Sequence, residues 1–285
     1  MSEFEDRYWS SRDGLRLHYR CYPGRDDRVP LLCLPGLTRN VRDFETLAGR
    51  FCGEWQVVCP EMRGRGDSDY AKDSATYNPM QYVEDIAALL EEAAIERFVA
   101  IGTSLGGLMT MVMAMTMPGR IAGAVLNDIG PVLEPAGLER IRGYVGQGRN
   151  FPTWMHAARA IEEAQSTAYP DYEIADWLGM AKRLMTLSSN GRIVFDYDMK
   201  IAEPLNTDEP AAEVDLWPGI EGLSGRPVLF LRGELSDILS EQTLRTMTER
   251  LPQAEAVTVP RVGHAPTLDE PECVAAIDRL LARVS

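Results

Sequence analysis

The chain has 285 residues, of which 45% are hydrophobic and 25% are charged, as is typical of a soluble globular protein. Its net charge of −14 repels phosphate backbones and anionic lipids, so we expect neither nucleic acid nor a membrane as a partner. The five cysteines are scattered, which is typical of core thiols in a reducing compartment. The first residues are acidic and lack an apolar stretch, so we expect no secretory signal and a cytoplasmic protein.

Strand patterns alternate with helical patterns along the chain. Residues 15–19 alternate apolar and polar side chains, which predicts an antiparallel edge strand. Continuous apolar runs predict buried strands at 29–34, 55–59, 97–101, 121–126, 227–231 and 256–259. Helical spacing is found at 44–51, 82–90, 108–117 and 274–281. This alternation predicts an α/β fold with a parallel sheet covered on both faces and ligands at the carboxyl ends of the strands.

One long segment departs from this alternation. Between about residues 131 and 222 there is no clear strand pattern, and aromatic residues and methionines fall in helical patterns. The segment is too long for a plain loop, and no linker-like composition flanks it. We therefore expect a helical cap at 131–222, folded over a core domain of residues 1–130 and 223–285.

The most informative motif is Gly-Thr-Ser-Leu-Gly at residues 102–106, between a predicted strand and a predicted helix. A Gly-x-Ser-x-Gly in this position is typical of a nucleophile elbow, where Ser104 takes a strained backbone conformation at a turn too tight for Cβ atoms. Leu105 is then the first residue of the helix, and we expect its N–H to be one donor of an oxyanion hole. The second donor should come from the loop after the 29–34 strand, where Gly36 lets the backbone approach the substrate. We expect this donor to be the Leu37 N–H.

A serine nucleophile needs a base at neutral pH. His264 is the best candidate, because it lies in a Gly-His loop directly after the last predicted strand. His156 falls within the predicted cap and is the weaker candidate.

The base in turn needs an acid to orient it. Asp237 lies after the 227–231 strand and between serine and histidine in chain order, so we expect it to be that acid. Asp128, just past the 121–126 strand, is the alternative, and Glu234 is a third candidate.

Together these motifs resemble the α/β-hydrolase family, in its cap-bearing branch. The resemblance rests on the Pro35-Gly36 loop, the Arg-Gly-Arg-Gly-Asp-Ser turn at 63–68, the elbow, Asp237 and Gly263-His264. It implies a mostly parallel eight-stranded sheet with helices on both faces, and a structural role for the 63–68 turn. Many relatives have His-Gly where this chain has Pro35-Gly36, which leaves the backbone donor in place.

The resemblance implies a serine hydrolase that cleaves a small carboxylic ester or a lactone through an acyl-enzyme, with neither a metal nor another cofactor. The same triad would also serve C–C bond hydrolysis of a diketo acid, for which Arg39 is the candidate partner of the substrate carboxylate. Trp154 is expected to line the pocket or to belong to the core of the cap. A ligand-binding homologue without turnover is the remaining alternative.

Overall fold

A central eight-stranded sheet organises the computed structural model, which describes residues 3–206 and 214–284. The strands lie in the order β1-β2-β4-β3-β5-β6-β10-β11. Their bounds are β1 Glu5–Ser10, β2 Arg16–Tyr22, β3 Leu31–Leu34, β4 Val57–Pro60, β5 Phe98–Thr103, β6 Ile121–Asn127, β10 Val228–Gly233 and β11 Glu255–Val259. The pairs β1–β2 and β2–β4 are antiparallel, and the other neighbours are parallel. The mostly parallel sheet that we predicted is confirmed.

The edge of the sheet differs from the prediction. The edge strand is β1, and the strand predicted at 15–19 lies one place inward as β2. Most side chains of β1 are exposed, so it shows no apolar period by which it could be recognised. Pairing with β1 buries most of β2.

The helices cover both faces of the sheet. Their bounds are α1 Glu45–Phe51, α2 Pro79–Glu92, α3 Leu105–Thr116, α4 Pro135–Tyr144, α5 Trp154–Gln165, α6 Ile174–Leu184, α7 Trp217–Glu221, α8 Glu241–Arg250 and α9 Pro271–Leu281. Successive side chains of a strand point to opposite faces. Accordingly Leu32 and Leu34 join the apolar cluster under α2, α3 and α8, whereas Leu31 and Cys33 join the cluster under α1 and α9. In the described part of the chain, no helix has the length and hydropathy that a membrane crossing requires.

The predicted cap segment contains a small sheet that the sequence did not reveal. Strands β7 Asn150–Phe151, β8 Met185–Leu187 and β9 Ile193–Phe195 form it in the order β7-β9-β8, all antiparallel. Our expectation of a segment without strands was therefore wrong. Each of these strands has only two or three residues, too few to establish an alternating pattern.

The segment also has an apolar core of its own. This third cluster runs from Phe151 to Ile193 and includes the buried Trp177. Helix α7 instead packs on α3, where a Cβ at Gly219 would lie 2.5 Å from the Met111 carbonyl oxygen. This separate core thus spans fewer residues than the cap predicted at 131–222. Residues 207–213 of the predicted cap lie outside the described part of the chain.

Hydrogen bonds tie the cap to the core loop that follows β3. Asn40 Nδ2 and Arg42 Nε donate to the Arg183 carbonyl oxygen at 3.0 and 3.1 Å. Arg42 Nη2 also donates to Asp196 Oδ2 at 2.6 Å. The end of α6 is therefore fixed directly to the loop beside the strand ends.

A buried histidine stabilises the first strands. His18 of β2 is 1% exposed, with Nδ1 2.8 Å from Glu61 Oε2 and Nε2 2.9 Å from Asp6 Oδ1. Burial alone would lower the pKa of His18, but the two carboxylates outweigh burial and raise it. The imidazolium can donate from both nitrogens at once, which neutral imidazole cannot do.

We expect His18→Gln to destabilise the protein in a pH-dependent way. Because the folded-state pKa is raised above the unfolded value of about 6.5, this stabilisation is fully present below that pH and is lost as pH rises through the folded pKa. The difference in free energy of unfolding between wild type and H18Q, measured by urea titration, should shrink as the pH rises above about 6.5. The exposed His156→Gln variant is the control. A difference that grows toward alkaline pH would contradict the assignment.

Candidate active site

The elbow forms where β5 ends at Thr103 and α3 begins at Leu105. Ser104 has φ of 53°, in the left-handed region that costs a non-glycine residue energy. The flanking glycines, Gly102 and Gly106, permit the close approach of the backbone segments at this turn. A Cβ at Gly102 would lie 2.4 Å from the Gly106 carbonyl oxygen, and a Cβ at Gly106 would lie 2.0 Å from the Leu34 carbonyl oxygen. The sterically tight turn predicted from the motif is what the backbone shows.

His264 lies between a serine and an aspartate. Its Nε2 is 2.8 Å from Ser104 Oγ, and its Nδ1 is 2.8 Å from Asp128 Oδ2. With the proton on Nδ1, the imidazole donates to the carboxylate and accepts the hydroxyl hydrogen of Ser104. His156 lies elsewhere, exposed in α5 beside Thr153 Oγ1.

Hydrogen bonds from the end of β10 and the loop after it hold the Asp128 side chain in place. Asp128 is fully buried, with φ of 55° directly after β6. Its Oδ1 accepts the Gly233 N–H at 2.8 Å, and its Oδ2 accepts the Ser236 hydroxyl at 2.7 Å. These donors hold the carboxylate against the imidazole.

Our expectation that Asp237 orients the base is not what the structure shows. Asp237 lies in the predicted loop after β10, but its oxygens accept from Arg140 of α4 at 2.5 and 2.8 Å. Burial would raise the pKa of Asp237, but Arg140 outweighs burial and lowers it. Glu234, the third candidate, accepts the Arg261 N–H at 2.7 Å. The sequence carried no sign of Arg140, because the residue lies in the predicted cap, far from the loop in sequence.

The expected oxyanion donors lie beside the nucleophile. In the described residues, the N–H groups of Leu37 and Leu105 donate no hydrogen bond to the protein. A Cβ at Gly36 would lie 3.8 Å from Ser104 Cβ, so this loop passes directly over the serine. Both N–H groups are available to a substrate oxygen.

Comparison with known proteins identifies the family of the chain. Residues 29–271 match the family model described as the alpha/beta hydrolase fold. The chain belongs to the α/β-hydrolase family. The resemblance inferred from the motifs is thereby confirmed.

Individual relatives of this α/β hydrolase are named hydrolases. The chain is 35% identical over 252 residues to the 3-hydroxybutyrate-oligomer hydrolase of Cupriavidus necator, covering 86% of this chain and 85% of that protein. It is 25% identical over 240 residues to the 2-(acetamidomethylene)succinate hydrolase of Mesorhizobium japonicum, covering 82% and 81%. A crystal structure of an alpha/beta hydrolase from Novosphingobium aromaticivorans superposes with a TM-score of 0.96, at 65% identity and complete coverage of both chains.

The pocket of the hydrolase opens over Ser104 and His264, and it is lined both by core loops and by residues of the 131–222 segment. Arg39 lines it, rather than lying solvated on a loop. It is bound in two places by Asp43, with Nε–Oδ2 at 2.5 Å and Nη2–Oδ1 at 2.7 Å. Burial opposes the Arg39 charge, but Asp43 raises the pKa of the guanidinium. Trp154 packs against the cap cluster and is not among the described residues that line the pocket.

Arg65 is a supporting residue that sequence reasoning missed. It is fully buried, and its Nε and Nη2 donate to the Leu37 carbonyl oxygen at 2.8 and 2.7 Å. Its Nη1 donates to the Arg63 carbonyl oxygen at 2.6 Å. The Arg-Gly-Arg-Gly turn was visible in the sequence, but its contact with the loop over the serine was not.

One group of side chains has the donor types of a metal site. Ligand atoms of His18, Glu61 and Asp67 lie within 4.8 Å of one another. The Glu61 carboxylate already accepts the Asp67 N–H at 2.7 Å, and both imidazole nitrogens of His18 face carboxylates. The buried members His18 and Glu61 therefore already have protein partners, and the group does not overlap the residues that line the pocket.

We expect Arg65→Lys to lower kcat by about tenfold to a hundredfold, less than the ~10²–10³ that follows loss of an oxyanion donor. A lysine ammonium cannot hold the Leu37 carbonyl with two parallel N–H groups. The measurement is kcat and KM on 4-nitrophenyl butyrate.

The matched control for this prediction is Arg63→Lys, in the same turn. Arg63 is equally buried, but it pairs with Asp13 and Asp85 and does not contact Leu37. Equal losses of kcat in the two folded variants would show that Arg65 has no specific effect on the loop.

Proposed function

We propose that the protein is a serine hydrolase that cleaves small carboxylic esters through an acyl-enzyme formed on Ser104. The observation that carries the proposal is the placement of His264 at 2.8 Å from both Ser104 Oγ and Asp128 Oδ2. This is the arrangement of nucleophile, base and orienting acid that acyl transfer requires.

The geometry supports a two-step reaction. Ser104 Oγ attacks the ester carbonyl while His264 Nε2 takes its proton, and Asp128 stabilises the imidazolium that results. The oxyanion receives hydrogen bonds from the N–H groups of Leu37 and Leu105. His264 then returns the proton to the leaving alcohol. A water attacks the acyl-enzyme by the same route, releasing the acid and restoring Ser104.

Among the residues that the structure describes, four arginines line the pocket: Arg39, Arg140, Arg149 and Arg183. Asp43 neutralises the first, and Asp237 neutralises the second. In the described part of the chain, neither Arg149 nor Arg183 has a carboxylate within ion-pair distance. Arg149 lies over the Phe151 ring at 5.4 Å. Arg183 acts at longer range on Tyr172 and on Asp269, a carboxylate that also lines the pocket. This local excess of cations stands out in a chain of net charge −14.

We therefore extend the proposal to an ester that carries a carboxylate, and a short oligoester of a hydroxy acid fits it best. Two relatives have names that describe acidic substrates: one is named a hydrolase of 3-hydroxybutyrate oligomers, and the other a hydrolase of a substituted succinate. A lactone remains a candidate because its carbonyl presents the same electrophile. C–C bond hydrolysis of a diketo acid would need a carboxylate partner other than Arg39, whose charge is taken by Asp43.

The five cysteines are free, and four of them are buried. This state is in keeping with the reducing, cytoplasmic compartment that we include in the proposal.

We expect Ser104→Ala to abolish hydrolysis of 4-nitrophenyl butyrate and Asp128→Asn to lower kcat by about 10³–10⁴-fold. Asp237→Asn is the matched comparison in the neighbouring loop, and its kcat should fall far less than that of Asp128→Asn, because Asp237 pairs with Arg140 and not with the imidazole. Large losses in D237N with normal activity in D128N would restore the acid expected from the sequence. Binding of an ester without turnover by wild type would favour the ligand-binding alternative.

Charge recognition is tested with two substrates that differ only in charge, 3-butanoyloxybutyrate and its carboxamide. We expect kcat/KM to favour the carboxylate by about tenfold or more, because a charge-assisted hydrogen bond contributes about 1.5 kcal/mol. Arg149→Met or Arg183→Met should reduce this preference. The control is Arg159→Met on α5, which pairs with Glu162 outside the pocket lining. A preference unchanged in the double R149M/R183M variant would refute carboxylate recognition by these residues.

A further inference from the structure

The loop that carries His264 is hydrogen-bonded to the cap on both sides of the histidine. The Gly263 N–H donates to the Ala168 carbonyl oxygen at 2.6 Å. Beyond the histidine, the Tyr169 hydroxyl donates to the Ala265 carbonyl oxygen at 2.8 Å and accepts the Ala265 N–H at 3.1 Å. We call Ala168 and Tyr169 the cap strap. Two adjacent cap residues therefore hold the backbone that immediately flanks the base.

The contact between strap and loop is also sterically close. A Cβ at Gly263 would lie 2.8 Å from Ala168 Cβ, so only glycine allows the two backbones to approach this far. The exposed ion pair between Arg261 and Asp171 continues the contact outward. The strap cannot shift without displacing the loop.

The strap is itself rigid. The Tyr169 ring stacks on Tyr172 with centroids 4.7 Å apart and meets the buried Trp177 edge-on at 6.1 Å. These rings belong to the core of the cap. Burial raises the pKa of the Tyr169 phenol, so the hydroxyl keeps its proton and its donor role throughout the neutral pH range.

The core holds the opposite side of the same loop. Asn127, at the end of β6, donates from Nδ2 to the Pro266 carbonyl oxygen at 2.8 Å and to Thr103 Oγ1 at 3.0 Å. The base loop thus lies between a core amide and a cap phenol. Among the described residues, the imidazole itself is hydrogen-bonded to Asp128 and Ser104 alone.

We propose that Tyr169 is a positioning residue for the base, so that His264 is aligned with Ser104 only while the cap strap is seated on the loop. This proposal rests on the proposed function, because it assigns the alignment of the proposed base to the cap. Small misplacements of a catalytic group cost up to about a hundredfold in rate. The cap is then part of the catalytic apparatus as well as the wall of the pocket.

The test is the Tyr169→Phe variant, which removes the hydroxyl that contacts the Ala265 backbone. We expect kcat on 4-nitrophenyl acetate to fall by about tenfold or more while KM changes little. Phosphorylation of Ser104 by diisopropyl fluorophosphate should slow by the same factor, because that small reagent needs the base but hardly needs the pocket. The low-field proton signal of the His264–Asp128 hydrogen bond should broaden or move.

The matched control is Tyr77→Phe. The Tyr77 hydroxyl is also buried and also donates once and accepts once, to Asp198 Oδ2 at 2.6 Å and from the Ala71 N–H at 2.9 Å, but it does not contact the base loop. Y77F should lose comparable thermal stability and keep the wild-type kcat and phosphorylation rate.

The outcomes separate this proposal from the proposed function. Loss of activity in Ser104→Ala together with an unchanged kcat in Y169F overturns the positioning role and leaves the serine hydrolase intact. An ester turnover that survives Ser104→Ala overturns both. If Y169F does not fold, Gly263→Ala pushes the loop off Ala168 from the other side, and a wild-type kcat in that variant overturns the proposal.

Discussion

The candidate active site depends on how closely α3 approaches the ends of β3 and β5. The backbone of Gly106 lies against the Leu34 carbonyl, and that of Gly102 lies against Gly106, with no room for a side chain at either place. This approach forces Ser104 into the left-handed region and lifts its hydroxyl above the sheet. It also brings the Leu105 N–H, at the start of α3, to the loop that follows β3. Gly102 and Gly106 thereby determine the position of the Ser104 hydroxyl, and the remaining parts of the site are arranged around it.

The sequence predicted the parts of this arrangement that are local. The elbow needs a serine between glycines at fixed spacing, and the buried strands need continuous apolar runs, so both could be recognised within a few residues. His264 was found because the chain has only three histidines and one of them follows the last strand. Ser104 and His264 therefore lie together as the sequence predicted.

The orienting acid could not be chosen in this way, because the choice depends on contacts between distant segments. Asp128 and Asp237 both follow parallel strands that are neighbours in the sheet, so both reach the same edge. What separates them is the partner each one finds: Ser236 and Gly233 hold Asp128 toward the imidazole, whereas Arg140 from the cap takes Asp237. The edge strand β1 was missed for a similar reason, because its place is set by pairing with β2 and not by its own exposed side chains.

The two attachments of the cap restrict how this protein can change over evolution. One attachment joins the end of α6 to Asn40 and Arg42, beside the loop over the serine, and the other joins Tyr169 to the loop of the base. Here a transplanted insertion would have to bring its own partners for both loops, or the host would have to change with it. Diversification of specificity in this lineage is therefore expected to proceed by substitutions inside the pocket rather than by exchange of the whole cap.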